Sequence, residues 1–232
     1  GIDKQALLPL YFRYGKEGIS MEFKDYFSIW DKLTKQQQDH LEGSVTFQKV
    51  KKGTVIHNGS MECTGLFLIK SGQLRAYSLS NEGREVTLYR LFDMDLCILS
   101  APCIMRSIQF DVTVETEKDT ELWIIPPYAY KTIMDESAAV ANFTNEIIAS
   151  RFSEVMWLME QIMWRSMDKR IAAFLLEESS IEDTDKLKIT HETIANHLGT
   201  HREVVQSEGM VRLTRGAVEL TDKKRLTQLC DT

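Results

Sequence analysis

The chain has 232 residues and a net charge of −6, with 43% hydrophobic, 9% aromatic and 27% charged residues. These proportions exclude a collagen-like chain, a disordered chain and an end-to-end coiled coil. The best apolar stretch runs from Leu91 to Met105, but Asp93, Asp95 and Pro102 interrupt it. No segment approaches the roughly 18 residues of a membrane span. The sequence therefore predicts a cytoplasmic protein with no membrane partner.

The charge is distributed unevenly along the chain. Residues 186–228 carry eight basic and five acidic side chains, whereas residues 1–185 carry 20 basic and 28 acidic ones. A weakly positive C-terminal segment on an acidic body is typical of a protein whose end binds DNA, although solvated surfaces vary by similar amounts. The net negative charge argues against a protein that coats nucleic acid without specificity.

The four cysteines form no CxxC pair, and none has a histidine at zinc-finger spacing. The simpler interpretation is that they are reduced thiols and that Cys97 and Cys103 are buried. The alternative is a redox sensor, which needs positive charge beside a thiol; only Arg106 stands close to Cys103 in the sequence. Both interpretations stay open at this point.

Strands are predicted from Val45 to Pro127, where apolar and polar residues alternate with a period of two. Glycine-bearing turns separate the stretches at intervals of about ten residues, for example at 71–72 and 81–83. This pattern predicts an antiparallel β-roll or jelly roll. Short amphipathic helices at 25–30 and 33–41 are expected to cover the end of a sheet.

After the predicted roll the spacing of apolar residues becomes helical. Asp135 or Ser137 is suited to cap a helix that contains no glycine or proline as far as about Glu177. Within it, apolar residues recur at spacings of four and three, which predicts the seam of a parallel helix-pair dimer rather than a core helix. The seam residues are Ile148, Phe152, Val155, Met159 and Ile162. Trp157 and Trp164 lie off the seam and are expected to dock onto other domains.

A helix-turn-helix is predicted between Leu187 and Val205, after a shorter helix and an acidic polar loop at 177–185. Thr190 is suited to cap its first helix. Gly199 supplies the turn, and Thr200 is suited to cap the second helix. The second helix of such a motif enters the major groove of DNA with its N-terminal residues.

The start of that second helix carries side chains that can read bases. Arg202 can pair bidentately with guanine, and Glu203 can accept from cytosine N4. Residues 209–220 are predicted to form two strands that turn at Arg215, giving a wing that can touch backbone phosphate. A plain helical hairpin with surface charges is the alternative. It is disfavoured because the caps, the turn and the wing follow one another in the sequence as a helix-turn-helix requires. The predicted DNA-binding residues are Thr190, Thr200, His201, Arg202, Glu203 and Arg215.

This succession resembles the Crp/Fnr family of bacterial transcription regulators. The resemblance is carried by ITHETIANHLGTHREVV, EGMVRLTRGAVELTD and GLFLIKSGQLRAY. It implies an α+β fold with an effector-sensing β-roll at 1–134, a long dimerisation helix at 135–167 and a winged helix-turn-helix at 168–232. It also implies a homodimer that binds a pseudo-palindromic operator on double-stranded DNA, with RNA polymerase as a candidate partner and no enzymatic activity.

The sequence departs from the family in the recognition helix. Only Gln206, Ser207 and Glu208 separate Val205 from Gly209, whereas a recognition helix of the family continues for about two further turns. We favour an interruption of the written sequence after Val205 or Gln206 over a genuine deletion, because both flanks match the family cleanly.

The cyclic-nucleotide signature of the family is damaged as well. Residues 92–100 contain no Gly-Glu pair, and Phe110-Asp111 stand where an Arg-Ser pair would hold the cyclic phosphate. A carboxylate in place of a guanidinium repels a phosphodiester, so cyclic AMP binding is not expected. The effector and any cofactor therefore remain unknown at this stage.

The predicted effector pocket is lined by Leu96, Cys97, Ile98, Leu99, Ser100 and Phe110, and is closed by Asn142 or Asn145 from the long helix. It can be empty, bind an apolar or aromatic effector, or respond to redox state. Iron–sulfur sensing is disfavoured because residues 1–62 contain no cysteine, and His57 is expected in a surface turn rather than as a haem ligand. The alternative function is a small-molecule or redox-sensing binding protein with a vestigial DNA-binding end.

Overall fold

A computed structural model of the chain describes residues 22–59, 63–104, 111–200, 211–214 and 216–231. The helices are α1 (Phe23–Tyr26), α2 (Lys35–Glu42), α3 (Pro127–Glu136), α4 (Ala138–Trp164), α5 (Met167–Ile181), α6 (His191–Leu198) and α7 (Lys223–Asp231). The strands are β1 (Thr46–Val50), β2 (Val55–Asn58), β3 (Leu66–Ser71), β4 (Leu74–Leu79), β5 (Glu85–Leu91), β6 (Leu96–Cys97), β7 (Thr113–Thr116), β8 (Thr120–Ile125), β9 (Lys186–Leu187), β10 (Val211–Thr214) and β11 (Ala217–Leu220).

Two four-stranded antiparallel sheets form a β-roll. One has the strand order β1-β8-β3-β6 and the other the order β2-β7-β4-β5. Alternate strand residues point to opposite faces, so Phe67 and Ile69 of β3 join Leu74 of β4 and Leu122 of β8 in a core between the sheets. The predicted antiparallel roll is confirmed.

The outer face of the β1-β8-β3-β6 sheet is covered by helices. Leu66 and Leu68 of β3 point outward and pack in a second core with Phe27, Leu41 and residues of α3 and α4. The short N-terminal helices therefore cover a face of the sheet, not its end as predicted, because β3 carries apolar residues on both faces. Within this core, burial raises the pKa of Tyr130 to about 12.

The structure places one long helix, α4, within the predicted 135–167 and the expected shorter helix, α5, after it, so only a helix that continues unbroken to about Glu177 is wrong. Pro127 begins α3, and Ser137, not Asp135, caps α4 by accepting from the Val140 amide at 3.4 Å. Helix α4 ends at Trp164 because Arg165 is extended, with φ −103° and ψ 139°, and α5 begins at Met167. The break turns the chain so that α5 can pack in a separate core.

That separate core belongs to the C-terminal unit, which contains α5, α6, α7 and the sheet β10-β11-β9. It buries Ile171 and Phe174 of α5 against Ile194 of α6 and Leu226 of α7. Helix α5 continues to Ile181, so the polar loop predicted at 177–185 is wrong over its first residues. Glu178 and Ser179 are polar but buried in this helix, so their polarity did not indicate an exposed loop.

Strands β10 and β11 pair antiparallel, with Arg212 opposite Glu219 and Gly216 between the strands. The predicted two-stranded wing is therefore confirmed. Across the described ranges, no helix has both the length and the apolar character that crossing a membrane requires.

Candidate nucleic-acid interface and sensor domain

Helix α6 has the start and stop that the sequence predicts. The Thr190 hydroxyl accepts from the Thr193 amide at 3.1 Å and satisfies one of the free donors at the helix N-terminus. Gly199 ends the helix in the left-handed conformation, with φ 68°, and the Thr200 amide donates to the Ala195 carbonyl at 3.0 Å. The first helix and the turn of the helix-turn-helix are thus in place.

Two of the six predicted DNA-binding residues lie in the described part of the chain. Thr190 is exposed at the N-terminus of α6, and Thr200 is half-buried directly after the turn. The other four lie outside the described residues, as does the interruption predicted after Val205; these four are His201, Arg202, Glu203 and Arg215. The N-terminus of α6 and the wing are elements that can contact phosphate.

The residues predicted to line an effector pocket do not face a common space. Leu96 and Ile98 point into the core under the helices, whereas Cys97 points into the core between the sheets. This divergence follows from the alternation of side chains along a strand. The Ser100 hydroxyl is buried and donates to the Gly65 carbonyl at 2.7 Å.

The remaining predicted pocket residues are dispersed. Leu99 is half-buried, Asn142 and Asn145 are exposed on α4, and Phe110 lies outside the described residues. His57 is buried on β2 with its Nδ1 atom 2.8 Å from the Thr64 hydroxyl, so its predicted place in a surface turn is wrong. Among the residues that the structure describes, no cluster of three or more His, Cys, Asp or Glu side chains could hold a metal ion.

A cavity of about 220 Å³ opens between the two sheets, and sequence reasoning missed it. Its lining residues are Gln48, Val50, Ile56, Thr64, Phe67, Leu122 and Ile124. Among the described residues, the lining contains no charged side chain, and Gln48 and Thr64 carry its polar side-chain groups. These residues suit a small uncharged ligand and offer no positive charge to a phosphodiester.

Two of the cysteines form a disulfide, between Cys63 and Cys103. The interpretation of all four cysteines as reduced thiols is therefore wrong, and Cys103 is exposed where it was predicted to be buried. The physical reason lies in the sheet: β3 pairs with β6, which brings the residues before β3 close to those after β6. Cys97 is buried as predicted, and burial raises the pKa of its thiol.

The disulfide gives a stability prediction. Replacing Cys63 and Cys103 with serine is expected to lower the free energy of unfolding by about 2–4 kcal/mol without reductant, because the bond closes a loop in the unfolded chain. Denaturant titration with and without dithiothreitol measures the effect. The serine variant and the parent protein should coincide in dithiothreitol, and a difference that persists there would contradict the prediction. Cys230→Ser is the matched control.

Comparisons with known proteins agree with this architecture. Residues 47–137 match the cyclic nucleotide-binding domain family, and residues 169–229 match the Crp-like helix-turn-helix domain family. A solved structure of a Crp/Fnr-family transcriptional regulator from Eubacterium rectale is 63% identical, covers 90% of this chain and 100% of its own, and superimposes with a TM-score of 0.87. The chain belongs to the Crp/Fnr family.

More distant relatives share the fold. The fumarate and nitrate reduction regulatory protein of Yersinia pestis is 23% identical over 185 residues, covering 75% of this chain and 71% of that protein. A Crp/Fnr transcriptional regulator from Thermus thermophilus is 21% identical, covers 81% of this chain and 99% of its own, and has a TM-score of 0.66. The relatives are transcription regulators rather than enzymes, and this chain is a DNA-binding transcription regulator with a cyclic-nucleotide-binding-like domain.

Proposed function

We propose that the protein acts as a homodimer that binds a pseudo-palindromic operator. The observation that carries this proposal is the exposed apolar face of α4. Phe152 is 64% exposed, and Met159 and Ile162 are each 48% exposed, while Ile148 and Val155 are half-buried on the same face. Contiguous exposed apolar surface of this kind marks an interaction site, and its four-three spacing suits a second copy of the same helix.

The tryptophans of α4 lie beside this face. Trp157 is 55% exposed and Trp164 is 76% exposed within one chain, so their expected docking onto other domains stays a prediction. Met156 and Met163 extend the exposed surface along the helix. A partner helix that covers the seam would reduce the exposure of these side chains too.

The proposed division of the chain follows the sequence: residues 1–134 sense an effector, residues 135–167 dimerise and residues 168–232 bind DNA. In the proposed complex, Arg202 and Glu203 read base edges, His201 stands beside them, and Thr190, Thr200 and Arg215 contact the backbone. Two-fold symmetry places the two half-sites about 34 Å apart. Such a regulator would act in the cytoplasm, where RNA polymerase is a candidate partner.

The proposed effector is a small uncharged molecule. The described cavity between the sheets has an apolar lining, and the sequence has lost the residue pattern that holds a cyclic phosphate. The proposed mechanism is a population shift in which the effector changes how two α4 helices pack and so resets the spacing of the recognition segments. A ligand moves this equilibrium only by its different affinities for the two states.

A DNA titration tests the proposed role of Arg202. On an operator selected from random-sequence duplexes, Arg202→Ala is expected to lose about 1–3 kcal/mol of binding free energy, or about 5- to 150-fold in affinity. Fluorescence anisotropy against operator and scrambled DNA measures this loss. Arg84→Ala, at an exposed arginine of the β4–β5 turn that pairs with Glu82, is the matched control.

The same titration decides between the two candidate functions. Phosphate contacts make the logarithm of the affinity fall linearly with the logarithm of the salt concentration. A steep negative slope supports an operator-binding regulator. A flat slope with no operator preference would instead favour the binding protein with a vestigial DNA-binding end.

A further inference from the structure

The disulfide between Cys63 and Cys103 stands at the mouth of the cavity between the two sheets. Thr64, the residue after Cys63, lines this cavity, and its hydroxyl lies 2.8 Å from Nδ1 of His57. Thr64 and Gln48 are the exposed members of the described lining, and the other members are half-buried or buried. The disulfide is therefore bonded directly to a segment that borders the entrance.

The other half of the disulfide is fixed to the core under the helices. Cys103 belongs to a short 3-10 turn, Pro102–Ile104. The side chains of Ala101 and Ile104, on either side of this cysteine, are buried in that core, and so is Val140 of α4. The disulfide thus ties one wall of the cavity to the core on which the long helix packs.

A second contact joins the same two segments without a covalent bond. The buried Ser100 hydroxyl donates to the Gly65 carbonyl at 2.7 Å. Gly65 also lies close against β8, because a Cβ atom at this position would be 2.7 Å from Cγ2 of Ile124. Gly65 therefore keeps its place when the disulfide opens, and the part of the wall that gains freedom is Cys63 with Thr64.

The two sulfurs differ in their access to solvent. Cys103 is exposed and Cys63 is half-buried, so the thiolate of a small thiol attacks Sγ of Cys103 and breaks the S–S bond. Sγ of Cys63 leaves with the bonding electron pair as a thiolate; the Cys103 amide already donates to this sulfur at 2.9 Å. A second small thiol attacks the mixed disulfide and releases Cys103. In total, two small thiols are oxidised to one disulfide and the protein disulfide is reduced to two thiols, with protons taken from water.

The setting of the protein favours a reversible role for this bond. The proposed regulator acts in the cytoplasm, where small thiols keep most cysteines reduced. Disulfides that form there are mostly transient, and serve catalysis or redox sensing. Exposed disulfides are also more easily reduced than buried structural ones. The exposure of Cys103 therefore places this bond among those that exchange with the thiol pool.

Building on the proposed effector cavity, we propose that Cys63 and Cys103 form a redox latch, a reversible disulfide whose state sets the affinity of the cavity for its ligand. With the bond closed, Thr64 is held in the wall and the ligand enters a preformed site. A preformed site binds more tightly because less of the protein is ordered on binding. Reduction frees Cys63 and Thr64, so the ligand then has to order them.

Thermodynamic linkage gives the redox latch a second property. If the closed disulfide raises the affinity for the ligand by some factor, the ligand favours the closed disulfide by the same factor. An occupied cavity therefore protects the bond from reduction. The protein responds to the small uncharged ligand and to the thiol pool together, because each shifts the effect of the other.

Xenon binding tests the proposal, because apolar protein cavities of about 150 Å³ bind this gas. Methyl NMR under xenon pressure, on protein labelled at Ile, Leu and Val, measures the affinity in the oxidised form and in dithiothreitol. We expect reduction to weaken xenon binding about threefold or more. The resonances that should shift are those of Val50, Ile56, Leu122 and Ile124. The methyl groups of Ile171, in the core of the C-terminal unit, should not shift.

The matched control is the variant with Cys63→Ser and Cys103→Ser. It should bind xenon as the reduced parent protein does, and dithiothreitol should change nothing in it. Equal xenon affinity in the oxidised and reduced parent protein would overturn the redox latch. A response of the serine variant to dithiothreitol as large as that of the parent protein would overturn it too.

The same titration separates a failure of the cavity from a failure of the redox latch. If xenon shifts none of the four lining residues in either redox state, the proposed effector cavity fails and the redox latch fails with it. If xenon shifts them with equal affinity in both states, the cavity stands and only the redox latch fails.

A redox titration checks the reversibility directly. Mixtures of reduced and oxidised glutathione set the thiol–disulfide ratio, and maleimide labelling followed by mass spectrometry counts the thiols. We expect reduction by millimolar glutathione, and xenon should shift the midpoint ratio by a factor that approaches its loss of affinity on reduction. A disulfide that resists millimolar reduced glutathione, or a midpoint that xenon leaves unchanged, would overturn the proposal.

Discussion

Exchanging Phe152 and Met159 for glutamate is expected to convert the protein from a dimer into a monomer. Both side chains lie on the exposed apolar face of α4, and in the proposed dimer each would put a carboxylate into the seam beside its symmetry mate. Unpaired charges in such a seam cost several kcal/mol. The expected outcome is a monomer at micromolar concentration with unchanged secondary structure.

The effect on DNA binding follows from the loss of the second half-site. Two linked DNA-binding units bind with an overall affinity about 10²- to 10⁴-fold higher than one unit. The glutamate variant should therefore bind the full operator at least 100-fold more weakly. Sedimentation velocity and anisotropy titration measure the two effects. Ser150→Glu with Ser153→Glu adds the same charge at exposed positions off the seam and should remain dimeric. A monomeric parent protein would contradict the proposed dimer.

Replacing Gly72 with alanine is expected to destabilise the roll by about 3 kcal/mol or more. Gly72 joins β3 to β4 with a φ of 117°, which side chains rarely adopt, and a Cβ atom there would lie 2.8 Å from the Asp119 carbonyl oxygen and from Cα of Thr120. These are backbone atoms, so they cannot move aside as a flexible side chain would.

The measurement is thermal unfolding followed by circular dichroism. A loss of this size lowers Tm by about 6–12 °C for a chain of this length. Gly83→Ala is the matched control, because Gly83 also has a positive φ, of 79°, in a hairpin turn but has open space around it. Gly83→Ala should lower the free energy of unfolding by about 1–2 kcal/mol, because only the backbone conformation disfavours alanine there. Equal losses for the two variants would contradict a steric role for Asp119 and Thr120.

The parts of the fold that depend on local signals were predictable. Alternation along β3 and β4 and the turn glycines between them predict the roll, because strand periodicity and turn chemistry are properties of neighbouring residues. The Thr190 cap and the Gly199 turn were predictable for the same reason. The break between α4 and α5 at Arg165 was predictable only in part: a shorter helix was expected after the long one, but no glycine or proline marks the boundary.

The contacts between distant parts of the chain were not predictable. Arg90 and Glu178 form an ion pair although they are 88 positions apart, and the Nδ1 atom of His197 lies 2.8 Å from the hydroxyl of Thr87, 110 positions away. Cys63 and Cys103 are 40 positions apart and meet through the pairing of β3 with β6. No spacing rule links such residues, so the ion pair, the contact of His197 and the disulfide required coordinates.

The disulfide between Cys63 and Cys103 has a consequence for how the roll refolds. It ties a residue before β3 to a residue after β6, so β3, β4, β5 and β6 lie within one closed loop of the chain. In the unfolded protein this loop stays closed, so the conformational search for these four strands is smaller in oxidising than in reducing solution.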